Sequence, residues 1–249
     1  MLTKNVEYYL TQKTSDLRKE LSAACTFSGE GSWLFIPEQT ERKVCLVAHI
    51  DTVHEEPAGQ KLLNRVDGII TSPHGLGADD RAGVWAGLHL YNTLAQDLQP
   101  YLLLCDKEEK HGIGAREAAA KFNDILRSDA ITYFIEIDRR GCNEAVFYSG
   151  EPAEFRNYVK SFGFTECRGS FSDISIIGPA TGKCAVNVSA GYYRAHKLDE
   201  FLNIAELMET VDKVKLMLEG NKRQSMIWPL DPQRTVYIPV RQTAEAGIG

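Results

Sequence analysis

Along the chain, short unbroken apolar runs alternate with segments that keep their apolar residues on one helical face. Val44–Asp51 (VCLVAHID), Tyr101–Glu109 (YLLLCDKEE) and Ala130–Asp138 (AITYFIEID) are hydrophobic runs that end in polar or acidic residues. Such runs fit strands covered on both faces of a sheet. Between them, Asp80–Gln96 sets Val84, Leu88, Tyr91 and Ala95 on one face, which predicts a helix. Ile113–Phe122 and Pro152–Ser161 are predicted helices too. Asn203–Glu219 opens on Asn203 and Glu206, an Asn form of the capping box, and aligns Leu207, Val211, Val214 and Leu218. The pattern also predicts a helix over Met1–Ala24 and shorter strands at Trp33–Pro37, Val66–Thr71, Ala145–Tyr148, Ile174–Ile177 and Cys184–Ser189.

This alternation is that of an α/β layer fold. No repeat or low-complexity linker interrupts it, so residues 1–219 are expected to form a single domain, with 220–249 as an unassigned tail. Composition agrees with a packed core: 43% of residues are hydrophobic and 25% charged. The net charge of −6 and the lack of a Lys/Arg run argue against nucleic-acid binding. No run approaches the ~18 apolar residues of a membrane span, and the first ten residues lack an apolar signal core. The six cysteines show no CxxC pairing, and Cys45 and Cys105 lie inside apolar runs. Free buried thiols and a cytoplasmic location are expected.

In open α/β sheets, ligands bind outside the carboxyl ends of the strands. Here those ends carry His49 and Asp51, then Glu108 and Glu109, then Asp138. His49 and Asp51 share one face of an extended segment, where the carboxylate can orient the imidazole. Asp79 and Asp80 lie in GLGADDRAG (75–83), a glycine-flanked loop before a helix. His196 follows the last strand. Each group alone has an ordinary explanation: a surface pair, a helix cap, an acidic turn, an ion pair with Arg139 or Arg140, a structural histidine. Together they form oxygen and nitrogen donor sets without thiolate, suited to zinc, cobalt or manganese.

The order HxD, GADDRAG, EE, D and H resembles the co-catalytic metallopeptidases of the M20, M28 and M42 groups, over about Val44 to Leu218. The resemblance implies a three-layer αβα sandwich with a mixed, mostly parallel sheet, and two zinc ions. It assigns His49 and Asp138 to one metal, Glu109 and His196 to the other, and Asp79 as the bridge. Asp51 orients His49, and Glu108 is the general base. It further implies a cis Asp79–Asp80 bond, a peptide or related amide substrate, and a homo-oligomer. Tyr192 or Tyr193 would steady the oxyanion. Positions 139–195 are too few to hold an inserted lid domain. Arg139 or Arg140 would grip a substrate carboxylate, and Asp173, in SFSDI, would bind a substrate amino group or cap the next segment. The competing expectations are a deacylase of non-peptide amides and an inactive binding protein of the same fold.

Overall fold

The three unbroken apolar runs become the centre of an eight-stranded sheet in the computed structural model, which describes residues 4–54, 61–224 and 226–231. The chain begins with α1 (Val6–Thr11), α2 (Thr14–Ala24), β1 (Phe27–Ser28), β2 (Ser32–Phe35) and β3 (Lys43–His49). It continues with β4 (Asn64–Val66), β5 (Ile69–Thr71), α3 (Ala78–Thr93), β6 (Tyr101–Cys105), α4 (Ile113–Lys121) and α5 (Asn123–Arg127). Then come β7 (Ile131–Arg139), β8 (Glu144–Val146), α6 (Ala153–Lys160), β9 (Thr165–Cys167) and α7 (Ile174–Thr181). The last elements are β10 (Ala185–Ser189), β11 (Tyr192–Tyr193), β12 (Phe201–Asn203) and α8 (Ile204–Gln224).

The sheet order is β1-β2-β6-β3-β7-β10-β8-β9. Its four central strands β6, β3, β7 and β10 are parallel; the flanking pairs β1–β2, β2–β6 and β10–β8 are antiparallel, and the edge pair β8–β9 is parallel. Side-chain alternation splits the core into two. Val44, Leu46 and Ala48 join the buried faces of α1, α2, α3, α6 and α8, while Cys45 and Val47 join those of α4, α5 and α7. The result is the expected three-layer α/β sandwich. A separate four-stranded antiparallel sheet, β11-β12-β5-β4, stands beside it.

Four elements differ from the pattern. The N-terminal helix breaks at Gln12–Lys13, where Arg81 donates to the carbonyls of Tyr9 and Gln12 and to Thr14 Oγ1. Those carbonyls take a buried guanidinium instead of the next helical turn. Val66–Thr71 is not one strand but holds the end of β4, a turn and β5 of a hairpin, because Asp67 and Gly68 both turn through positive φ (48° and 81°). Ile174–Ile177 is the start of helix α7, not a strand; a four-residue apolar run does not distinguish the two. The last helix runs on to Gln224, and Trp228 and Leu230 return to the core. Residues 232–249 of the expected tail lie outside the described residues. No helix among the described residues is long and apolar enough to cross a membrane. All six cysteines are free thiols, with Cys45, Cys105 and Cys184 buried.

Candidate metal centre

The carboxyl ends of the parallel strands and the start of α3 converge on one cavity of about 310 Å³. β3 ends on His49, β7 carries Asp138 next to its end, and the turn after β6 carries Glu108 and Glu109. Asp79 comes from the first turn of α3, and His196 from the loop after β11. Asp79, Glu108, Glu109, Asp138 and His196 all line the cavity. His49 lies beneath them, 1% exposed.

The GADDRAG segment explains how Asp79 reaches this point. Gly77 sits in the left-handed region (φ 70°), and a Cβ on Gly83 would come within 2.1 Å of the Ile137 carbonyl oxygen. So the helix start packs directly on β7 beside Asp138. The Asp79–Asp80 peptide bond is cis, as the resemblance implies. Asp79 Oδ1 faces His49 Nε2 at 3.2 Å and Oδ2 faces His196 Nε2 at 3.3 Å. His49 Nε2 also lies 3.4 Å from Asp138 Oδ1, and His196 Nε2 lies 2.8 Å from Glu109 Oε1.

Two groups of side chains can therefore gather around a cation: His49, Asp80 and Asp138, and Asp79, Glu109 and His196. Asp80 is the weaker member of the first. Its oxygens already accept the backbone N–H groups of His49 (3.2 Å) and Gly83 (3.1 Å), and it is fully buried. Asp79 has one oxygen toward each imidazole, which is the geometry of a bridge. Glu109 Oε1, though close to His196, is buried without a hydrogen bond. A buried carboxylate oxygen without a hydrogen bond, set beside an imidazole nitrogen, fits a shared cation. Carboxylates and imidazoles without thiolate fit zinc, manganese or cobalt.

The electrostatics agree. Burial pushes the Glu108 carboxyl up to about 8, helped by Asp138, Asp173 and Glu109 and opposed by His49. Burial likewise raises Asp138 to about 6. His196 is raised to about 9, chiefly by its contact with Asp79. His49 is raised too: burial is the largest influence and works against it, but Asp138, Asp51 and Asp79 together outweigh burial. Carboxyls that hold protons and imidazoles that gain them mark a cluster with excess negative charge, and divalent cations neutralise such a cluster.

The surrounding residues fix these donors. Asp51 Oδ1 lies 3.3 Å from His49 Nδ1, while its two oxygens accept the N–H groups of Glu108 (3.0 Å) and Glu109 (3.3 Å). One carboxylate thus orients a histidine and the adjacent acidic turn. Tyr192 lines the cavity, but its hydroxyl donates to the Asp138 carbonyl at 2.7 Å, so it braces Asp138 instead of pointing at an oxyanion. Tyr193 donates to Glu206 and lies off the cavity. Arg139 is taken by Glu144 at 2.8 Å. Arg140, also on the cavity wall, has no ion pair among the described residues. Asp173 is 0% exposed and off the cavity wall, and its side chain caps nothing. It is the N-cap residue of α7 and accepts the N–H groups of Ile176 and Ile177 through its backbone carbonyl alone.

Asn187 and Tyr148 are among the cavity residues that escape sequence reasoning. Asn187 accepts the Asp138 N–H at 3.0 Å, and Tyr148 places its ring on the wall. The one signal for Asn187 was an amide inside the apolar strand AVNVS.

The fold and the paired donor sets define a metal-dependent hydrolase. A model of peptidase family M28 matches residues 34–172, more than half of the chain. The chain belongs to that family and is a metal-dependent exopeptidase. Three solved structures share the fold. A tripeptidase from Staphylococcus aureus subsp. aureus mu50 is 15% identical, with TM-score 0.62, over 88% of this chain and 97% of its own. An aminopeptidase from the archaeon Desulfurococcus kamchatkensis is 13% identical, with TM-score 0.61, over 86% and 93%. Aminopeptidase PepT from Bacillus cereus ATCC 10987 is 14% identical, with TM-score 0.59, over 84% and 91%. No curated protein sequence matches the chain.

Proposed function

We propose that this exopeptidase works on short peptides or related amides with two zinc ions. His49 and Asp138 would hold one ion and Glu109 and His196 the other, with Asp79 available to both. The observation that carries this is Asp79 itself, with one oxygen 3.2 Å from His49 and the other 3.3 Å from His196. The cavity volume, about 310 Å³, lies at the lower end of the roughly 300–1,000 Å³ range of ligand pockets, which favours a small substrate.

Bound there, the cations would acidify a water molecule and polarise the scissile carbonyl. Glu108, on the cavity wall, would accept a proton from the attacking water and return it to the leaving amine. Asp51 keeps Glu108 in register with His49 by holding the backbone of the acidic turn. Asn187 and Tyr192 hold Asp138 by its N–H and its carbonyl. Arg140 meets a substrate carboxylate; this role moves from Arg139, whose guanidinium is engaged by Glu144.

Metal analysis after zinc loading should find two ions per chain. Chelation should abolish hydrolysis of an aminoacyl chromophore or short peptide, and zinc should restore it. Glu108→Gln should lower kcat by roughly 10²–10⁴-fold with both ions still bound. A protein that binds no zinc, or a fully active Glu108→Gln variant, would end this proposal.

A further inference from the structure

The segment 196–200 meets Asp79 twice. His196 Nε2 lies 3.3 Å from the Asp79 side chain. Four residues on, Glu200 Oε1 accepts the backbone N–H of Asp79 at 3.0 Å, and Oε2 accepts that of Gly77 at 2.6 Å. Glu200 is 0% exposed. The first N–H groups of a helix have no intrahelical acceptor. At α3 the N-cap residue is Gly77, which has no side chain to supply one. A carboxylate from a distant loop takes its place, at the positive end of the helix.

Burying a lone carboxylate is strongly unfavourable. Here two backbone donors offset that cost, and Lys61 brings a positive charge to the same loop through the carbonyls of Leu76 (2.8 Å) and His54 (3.0 Å). Gly77 has little room to adjust, since a Cβ there would lie 2.7 Å from Thr52 Oγ1. The backbone on which Asp79 stands is held by both oxygens of one side chain.

We propose that Glu200 is a positioning residue of the metal centre. It fixes the Asp79 backbone so that the carboxylate faces both donor sets, and it ties that bridge to the loop that carries His196. This inference rests on the two-metal proposal above. Glutamine at 200 is isosteric but has one acceptor oxygen for two N–H groups, and its amide would face a donor.

The test measures stepwise zinc affinity by competition with a chromophoric chelator, beside steady-state kinetics. Glu200→Gln should weaken the second zinc step by roughly 10–100-fold and lower kcat comparably, with KM within about twofold. Glu151→Gln is the matched control. Glu151 is also buried and accepts a backbone N–H (3.1 Å), but from Ser149, which is not a donor residue of the centre. A purely structural role would lower the unfolding midpoint of both variants and leave zinc affinity unchanged in both. Should the glutamine variant be insoluble, Glu200→Asp keeps the charge but falls one methylene short, and reports the same quantities. Zinc affinities within twofold of wild type overturn the role of Glu200. A wild-type protein that binds fewer than two ions overturns the two-metal proposal instead, so the two failures are distinct.

Discussion

Arg139 and Arg140 are neighbours in sequence but differ in what they can do. Arg139 gives its Nε–H to Glu144, whereas Arg140 stands on the cavity wall without an ion pair among the described residues. Hydrogen bonds to a charged group contribute about 1.5–3 kcal/mol, which corresponds to roughly tenfold or more in affinity. Arg140→Gln should therefore raise KM about tenfold for a peptide with a free carboxylate, and much less for its amide. Arg139→Gln should affect both alike. Paired assays on free and amidated peptides check this, and equal effects of Arg140→Gln on the two would refute the role. At this scale, the residues legible in the sequence were those whose chemistry coincides with a strand end: His49, Asp51, Glu108, Glu109 and Asp138. Asn187 accepts the Asp138 N–H, and Tyr192 donates to both its carbonyl and its Oδ1; contacts between residues so far apart leave no mark in spacing. Asp173 misled because an acid beside a cavity-forming segment looks the same whether it faces the substrate or the protein interior.

The turn that carries Glu108 depends on elements that carry no chemistry. Asp106 donates its N–H to the Gly31 carbonyl at 2.9 Å, and Glu117 on α4 accepts the N–H groups of Glu30 (2.6 Å) and Gly31 (2.8 Å) and the hydroxyl of Ser32 (2.7 Å). Burial opposes the charged form of Glu117, but these donors outweigh it and hold the carboxyl below its ordinary 4.5. The unfolded chain therefore binds this proton at a higher pH than the folded protein does. The contribution to stability is complete above pH 4.5 and is lost as pH falls through the lowered folded value. Glu117→Gln should cost about 1 kcal/mol at neutral pH, since the group is partly exposed. Thermal unfolding of the two proteins from pH 7 to pH 3 should show midpoints that converge below pH 4.5; a constant gap would refute the assignment. Long periodic elements such as α3 and α8 were readable, because a sixteen- or twenty-one-residue pattern repeats its signal. The short ones were not. Asp67–Gly68 splits one expected strand into a hairpin, and α7 and a strand have the same apolar content over four residues.

On the scale of the molecule, the sheet has two ends with different tasks. The carboxyl ends of β3, β7 and β10 face the metal donors. At the opposite end, residues 226–231 close the sheet: Trp228 donates its N–H to the Thr132 carbonyl, its carbonyl accepts from Cys184, and Leu230 donates to Gly182. The Trp228 ring packs at a tilt against Phe155 (5.4 Å) and Tyr158 (5.6 Å) and is 9% exposed. The expected boundary at residue 219 missed this because a lone tryptophan in an irregular segment carries no period. Removing such a ring leaves a cavity between α6 and the sheet that neighbouring rings cannot fill. Trp228→Ala should therefore cost about 3 kcal/mol and lower the unfolding midpoint by roughly 10 °C. Phe155 and Tyr158, the ring partners of Trp228 among the described residues, are not cavity-lining residues. KM and zinc stoichiometry of the variant should accordingly match wild type at temperatures where it remains folded. A change in zinc binding at such a temperature would mean that the two ends of the sheet are coupled, and would refute their separation into a stabilising end and a chemical one.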